Sequence, residues 1–338
     1  MHRRILTAFV VAAALLLAAC GGGASTSDST GSSGASGQKA SDDSRGAAVT
    51  VTHAMGTTKI EEPPQRIVAL DSSYADAALL LEANLVGITT YRSYSTDLPD
   101  YLGGARTKYA GDVVSVGELE APSLEKVAAL KPDLIVSAKV RHEALYDQLT
   151  AIAPTIMSET TGATFKENIR MLAKALGKKD LAEEKIRAYE TAAKQVGDAV
   201  KAKAGDPTIS VTRFLDGPTR LYLKDTYSGI VLDDAGLARP KSQDTTGFAL
   251  EISEENIRKA DADNIFVTTY EDEKGLAVRT KEAFAANPLW KPLAPKVTEV
   301  SDATWMTAVS VQGAYYILTD LAKAFDVEPP ALPEDLSS

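Results

Sequence analysis

The chain has 338 residues, 44% hydrophobic and 24% charged, with 36 Lys+Arg against 46 Asp+Glu, one cysteine and three histidines. One cysteine excludes a disulfide framework and a cysteine-built zinc cluster, and His2, His53 and His142 are too scattered for a transition-metal cage. A formal charge of −10 argues against a nucleic-acid partner, whose footprint is a basic patch, and leaves an acidic α/β-type body of one large domain or two linked ones.

Arg3 and Arg4 precede an apolar run of 15 residues, Ile5 to Ala19. The run falls short of the ~20 residues that span a hydrocarbon core, so residues 1–19 read as a signal peptide, compatible with general or twin-arginine export. Leu17-Ala18-Ala19-Cys20 resembles the bacterial lipoprotein lipobox, which implies that Cys20 is diacylated and becomes the new N-terminus. An ordinary secretory signal containing a cysteine is the alternative. Residues 20–46 read as the lipidated Cys and a disordered linker, because seven Gly and eight Ser occupy 15 of the 26 positions from Gly21 to Gly46. Such a coil reaches roughly 25–30 Å. The body beyond it carries 32 basic against 43 acidic residues, a formal −11. The expected location is the cell membrane, lipid-anchored on its extracellular or periplasmic face.

Val49-Thr50-Val51 with Gly56 predicts a short hairpin, Arg66 to Leu70 a buried strand and Tyr74 to Ala83 a helix. Strands alternating with helices imply βαβ units and a largely parallel sheet. From Phe165 to Ala204 apolar residues recur at helical spacing, with only Gly177 and Gly197 as breakers. An unbroken helix of that length would measure nearly 60 Å, and a break is expected near Gly177-Lys178-Lys179-Asp180. Further strands are expected at Ile209–Phe214, Ile265–Thr269 and Val297–Val300, and helices at Tyr227–Ala235, Ser253–Ala260 and Met306–Phe325. The layout is an N-terminal α/β lobe (47–162), a connecting helix (163–204) and a C-terminal α/β lobe (205–330).

The most specific pattern is a repeat between the lobes. Ser123, Glu125, Asp133 and Ile135 keep the same spacing as Ser253, Glu255, Asp263 and Ile265. Each Ser is a helix N-cap candidate, and each Glu falls in a first turn, where the helix dipole favours negative charge. A single such Glu is ordinarily a surface residue. Two at matched positions make the pair of acidic knobs that a two-fold partner surface needs.

"GELEAPSLEKVAALKPDLIVS" from Gly117 to Ser137 resembles the N-lobe signature of substrate-binding proteins of iron-siderophore, haem and cobalamin ABC importers. The resemblance continues through the long helix to "RLYLKDTYSGIVLDDAGLARP", "ISEENIRKADADNIFV" and "ATWMTAVSVQGAYYILTDLAKAF", covering about Thr52 to Phe325. It implies two Rossmann-like lobes joined by one stiff helix, a ligand in the cleft between them, and a monomer. It also implies a dimeric ABC permease with its ATPase as partner, met by Glu125 and Glu255, with Glu254 as the alternative in the second lobe.

Ligands of open α/β sheets sit in loops after strands. In the N-lobe those loops offer Tyr91, Arg92 and Tyr94; in the C-lobe they offer Arg213, and the resemblance adds Arg220, Tyr222 and Trp305. The set suits a ferric hydroxamate such as a ferrioxamine, whose iron is already saturated and needs no metal ligand or cofactor from the protein. Arginines would donate to its oxygens and aromatic faces would cover its methylenes. Haem, cobalamin and catecholate or citrate-type chelates stay open as alternatives. So do a sensor lipoprotein outside transport and an extracellular hydrolase, although the body has no G-x-S-x-G, H-E-x-x-H or P-loop.

Overall fold

Short, mostly apolar runs bounded by polar turns suit strands covered on both faces, and they build the first sheet. The computed structural model describes residues 48–91 and 98–336. The signal segment, Cys20, the whole 20–46 linker reading and the candidates Arg92 and Tyr94 lie outside the described residues. Ile67–Ala69 (β1), Leu85–Ile88 (β2), Val114–Ser115 (β3), Leu134–Ala138 (β4) and Thr155–Ser158 (β5) form a parallel sheet in the order β3-β2-β1-β4-β5. The expected hairpin is present, pairing Val49–His53 with Gly56–Ile60.

The second sheet comprises Ile209–Phe214 (β6), Thr219–Tyr222 (β7), Ala249–Ile252 (β8), Asn264–Thr269 (β9) and Val297–Glu299 (β10), in the order β8-β7-β6-β9-β10. It is mixed: β6, β9 and β10 are parallel, whereas β7 runs antiparallel to both β6 and β8. The cause is the connection between β6 and β7, Leu215-Asp216-Gly217-Pro218, which permits a hairpin but is far too short for a crossover.

Six helices matter below: Ser72–Leu80 (α1), Leu124–Ala129 (α2), Phe165–Leu176 (α3), Lys179–Ala204 (α4), Tyr227–Asp234 (α5) and Val311–Ala324 (α6). The predicted long helix is therefore two helices. Gly177 ends α3 in the left-handed region at φ 69°, and the Lys178 N–H returns to the Ala173 carbonyl at 2.8 Å. Lys178 Nζ then donates to the Leu81 and Glu82 carbonyls, each at 2.7 Å, tying the start of α4 to the end of α1. Gly197 breaks nothing. It lies inside α4, where an added Cβ would meet the Ala235 carbonyl oxygen at 1.7 Å. The final helix is also shorter than expected: a π-turn, Ala303–Thr307, precedes α6, whose N-cap Ser310 accepts the Gly313 N–H at 3.2 Å.

The sequence repeat has a structural counterpart. Asp133 accepts the N–H groups of Gln65 and Arg66 at 2.7 and 2.8 Å, leading into β1. Asp263 accepts the Thr208 N–H at 2.8 Å, leading into β6. Ser123 caps α2 by accepting the Lys126 N–H at 3.3 Å. Ser253 makes no such cap, and the segment after it, Glu254–Ala260, winds as a 3-10 helix rather than the expected α-helix.

All the described residues fall within one unit of the chain, Arg45–Ser338. One hydrophobic core runs through it, from Leu79 and Ile88 past Tyr189 and Val196 of α4 to Phe266 and Leu318. Separate cores cover the outer sheet faces, around Val68 and Ile135 in the first lobe and around Phe214 and Trp290 in the second. The lobes are thus welded through α4 and α6.

Asp76 of α1 is fully buried at that weld. It accepts the Tyr91 hydroxyl at 2.5 Å and the Tyr101 hydroxyl at 2.8 Å, while its backbone carbonyl accepts Gln312 Nε2–H of α6 at 2.8 Å. Burial, only partly offset by the hydroxyls, raises its pKa to about 7. A raised folded pKa gives stability that is full below the unfolded value and lost as pH rises through the folded one. Between pH 5.5 and 8 the protein should lose about 2 kcal/mol relative to Asp76→Asn. Thermal melts of the two proteins check this. Buried His142 and half-buried His53, whose pKa values desolvation lowers, are common to both and cancel.

Candidate functional site

A cavity of about 710 Å³ lies between the lobes, bounded by Asp71, Ser72, Arg141, Thr160 and Thr161 on one side and Arg213, Arg220, Tyr222, Phe248 and Met306 on the other. Strand alternation sets its second wall. On β7, Leu221 turns into the outer core, so Arg220 and Tyr222 point the opposite way. Arg213 stands directly across from Arg220 in the antiparallel register. Like charges in that position repel, and each has its own acid. Arg213 donates to both Asp302 oxygens, at 2.7 and 2.6 Å, and to the Tyr222 hydroxyl at 3.1 Å. Burial works against the Arg213 charge, but Asp302 and Tyr222 outweigh it and hold the guanidinium above its ordinary pKa. Arg220 donates to Glu251, its neighbour on β8, at 3.1 and 3.3 Å and remains partly exposed.

In the first wall Asp71 is the N-cap of α1, accepting the Ser73 N–H at 3.0 Å. Its other oxygen accepts Arg141 Nε–H at 3.0 Å, which aims an otherwise unpartnered guanidinium fork, among the described residues, at the cavity. Val140 and Phe248, 61% and 58% exposed, give the mouth an apolar lip from each lobe. The floor carries local strain. Val309 has φ 24°, unusual for a β-branched residue, just after the π-turn. Such strain clusters at ligand clamps.

Of the residues expected from sequence, Arg213, Arg220, Tyr222 and Trp305 come together here. Tyr91 does not. It is buried with its hydroxyl on Asp76, because the strand it follows delivers it into the core behind α1. Trp305 borders the cavity but has no exposed surface: its Nε1–H donates to Asp320 at 2.9 Å and its ring stacks on Phe266 at 4.7 Å. It is a floor beneath the site rather than a free aromatic face. Arg141, Thr160, Thr161 and Phe248 were not anticipated. The first three follow β4 and β5, so the same loops-after-strands rule, applied to every strand, reaches them.

Among the described residues, no group of three or more His, Cys, Asp or Glu is placed to hold a metal ion, and no helix is long and apolar enough to cross a membrane. Glu125 and Glu255 are exposed, each in the first turn of its segment.

Two α/β lobes welded by a long helix around a cleft lined by arginines and aromatic rings define a solute-binding protein rather than an enzyme. Residues 67–294 match the periplasmic binding protein family, and the chain belongs to it. It is similar to the probable siderophore-binding lipoprotein YfiY of Bacillus subtilis, 37% identical over 303 residues that cover 84% of this chain and 90% of the relative. The Fe(3+)-citrate-binding protein YfmC of the same organism is 31% identical, covering 85% and 88%. Among solved structures, Staphylococcus aureus SirA complexed with staphyloferrin B superposes with a TM-score of 0.75 at 30% identity, covering 83% of this chain and 99% of that one.

Proposed function

We propose that the chain is the receptor of an ABC importer, held to the membrane by lipid at Cys20, and that its cleft captures a ferric siderophore of low net charge, a hydroxamate such as a ferrioxamine. The observation that carries this reading is the charge of the lining. Three arginines, Arg141, Arg213 and Arg220, are set against Asp71 and Asp225 in the wall itself. Each arginine is also paired with an acid already. A trianionic catecholate chelate would need a denser, uncompensated basic cluster. A nearly neutral chelate needs directional donors and apolar cover, which Arg141, Arg220, Tyr222 and Phe248 offer. The ligand would reach the permease through Glu125 and Glu255, as in the resemblance of the two lobes' motifs.

A citrate-type chelate is the second reading, favoured by the likeness to the Fe(3+)-citrate-binding relative. Both readings make Arg220 a ligand donor. Arg220→Ala should weaken ferric-chelate binding by about 1–2 kcal/mol, roughly 5–30-fold, in a fluorescence titration. An unchanged affinity removes Arg220 from the site. Trp305→Ala is no equivalent test, since emptying that buried site costs about 3–5 kcal/mol of stability by itself.

A further inference from the structure

A second cavity, of about 300 Å³, opens beside the cleft in the second lobe. It lies past the carboxyl ends of β9 and β10, the edge at which open α/β sheets place ligands. Thr307 borders both cavities. The ion pair of Arg213 and Asp302 stands between them, the arginine lining the cleft and the aspartate lining the side cavity. Tyr270 continues this partition, with the Arg213 guanidinium over its ring at 5.4 Å from the centroid.

Charge distinguishes the two spaces. The cleft wall carries three arginines, whereas the side cavity sets Glu271, Glu299 and Asp302 against one lysine, Lys281, among the described residues. Asp302 is engaged by Arg213, and Glu299 accepts Lys281 Nζ–H at 2.7 Å. Asp272, the next residue along from Glu271, is turned onto backbone, accepting the N–H groups of Lys274, Leu276 and Ala277 at 3.0, 2.9 and 2.8 Å. Glu271 is left without a hydrogen bond or ion pair among the described residues. The acids are not placed to share a metal ion. Val278, 45% exposed, adds an apolar flank. One free carboxylate beside an apolar flank, in a space of this size, fits an ammonium at the end of an aliphatic chain. Such a cation is repelled by Arg141, Arg213 and Arg220 in the cleft and attracted into the neighbouring acidic space.

We propose that the side cavity is a subsite for the terminal ammonium on an aliphatic arm of the bound chelate, with Glu271 as its counter-charge. The receptor therefore prefers hydroxamate chelates that carry a free amine over the same chelates with the amine blocked. This inference rests on the hydroxamate reading of the cleft and narrows the class it takes, and the test separates the two.

The test titrates the wild type and Glu271→Gln, by tryptophan emission, with two ligands: a linear ferric trihydroxamate bearing a terminal primary amine, and its N-acetylated form. The wild type should bind the amine form about three- to fivefold more tightly at low salt. The ratio should shrink toward one at about 0.5 M salt, where the charges are screened. Glu271→Gln should bring the low-salt ratio below about 1.5 by weakening the amine form and leaving the acetylated form unchanged. Glu271 is exposed, so the variant should melt with the wild type. Equal affinity of the wild type for the two forms, or a preference that survives Glu271→Gln, overturns the subsite and leaves the hydroxamate reading standing. Binding of neither form by the wild type overturns both.

Discussion

Alanine at position 197 should lower the melting temperature by roughly 5–10 °C, the largest stability effect expected of any single-methyl change in this chain. The reason is geometric. Gly197 sits mid-helix in α4, fully helical and buried, with the backbone of Ala235 pressed against it. A Cβ at 1.7 Å from the Ala235 oxygen, and 2.7 Å from its carbonyl carbon, cannot be absorbed by rotating a side chain, because both neighbours are backbone. Either α4 moves away from the end of α5 or the turn after α5 is displaced. Both open the core in which Val196 and Val200 pack with Val231 and Leu232. Overpacking of this kind costs about 1–3 kcal/mol, and more where the backbone must shift. The gain in helix propensity from Gly to Ala, up to about 1 kcal/mol, works in the opposite direction and does not cover it. Gly177→Ala is the comparison, since that glycine has open space but a positive φ. Its cost should be about 1 kcal/mol. Calorimetry of the two variants that ranked them in the reverse order would contradict the packing of α4 on the second lobe.

Reversing charge at Glu125 and Glu255 together should abolish uptake of the ferric ligand in cells, with at least a tenfold fall in rate, and leave ligand affinity within twofold. Both side chains are exposed and have no partner among the described residues, so arginine at either position should change stability by no more than about 0.5 kcal/mol. Neither borders the cleft, which is why binding should survive. Like charges set against each other across an interface cost several kcal/mol, enough to stop productive docking. The structure also separates Glu255 from its neighbour: Glu254 accepts Asn287 Nδ2–H at 3.4 Å, whereas Glu255 is free to meet a partner. Glu254→Arg should therefore impair uptake less than Glu255→Arg. Transport at the wild-type rate by the double variant would remove the docking role.

Much of the fold was legible because its signals are local. Ile209–Phe214 is rich in β-branched and aromatic residues, with Pro207 before it and Gly217 after it, and Gly177 marks the helix break by the left-handed turn it permits. Gly197 looks like a breaker in the sequence, because a close approach between segments nearly 40 residues apart leaves no trace in local spacing. The final helix was drawn too long for a similar reason. Met306 and Thr307 have helical propensity, but the chain needs an extra residue per turn there and a strained Val309 to form the cleft floor. In the site, Arg220 and Tyr222 come from the resemblance, and strand alternation on β7 accounts for their shared face. Arg141 was not legible, because its role depends on the Asp71 carboxylate 70 residues away. Tyr91 and Trp305 have the side-chain chemistry of ligand contacts, and only burial reveals that each is already committed to an acid, Asp76 and Asp320.

If the inter-lobe cleft holds an intact ferric chelate, a titration of intrinsic tryptophan emission registers its binding. Trp305 lies under the cleft floor, whereas Trp290 packs against Phe214 and Phe284 in the outer core, so quenching at the site has a near and a remote reporter. A low-charge ferric hydroxamate or citrate-type chelate should produce saturable quenching with a Kd of about 1 μM or tighter, lost in part in Arg220→Ala. No saturable change with any ferric hydroxamate, citrate or catecholate chelate up to about 100 μM would show that the cleft holds no such chelate.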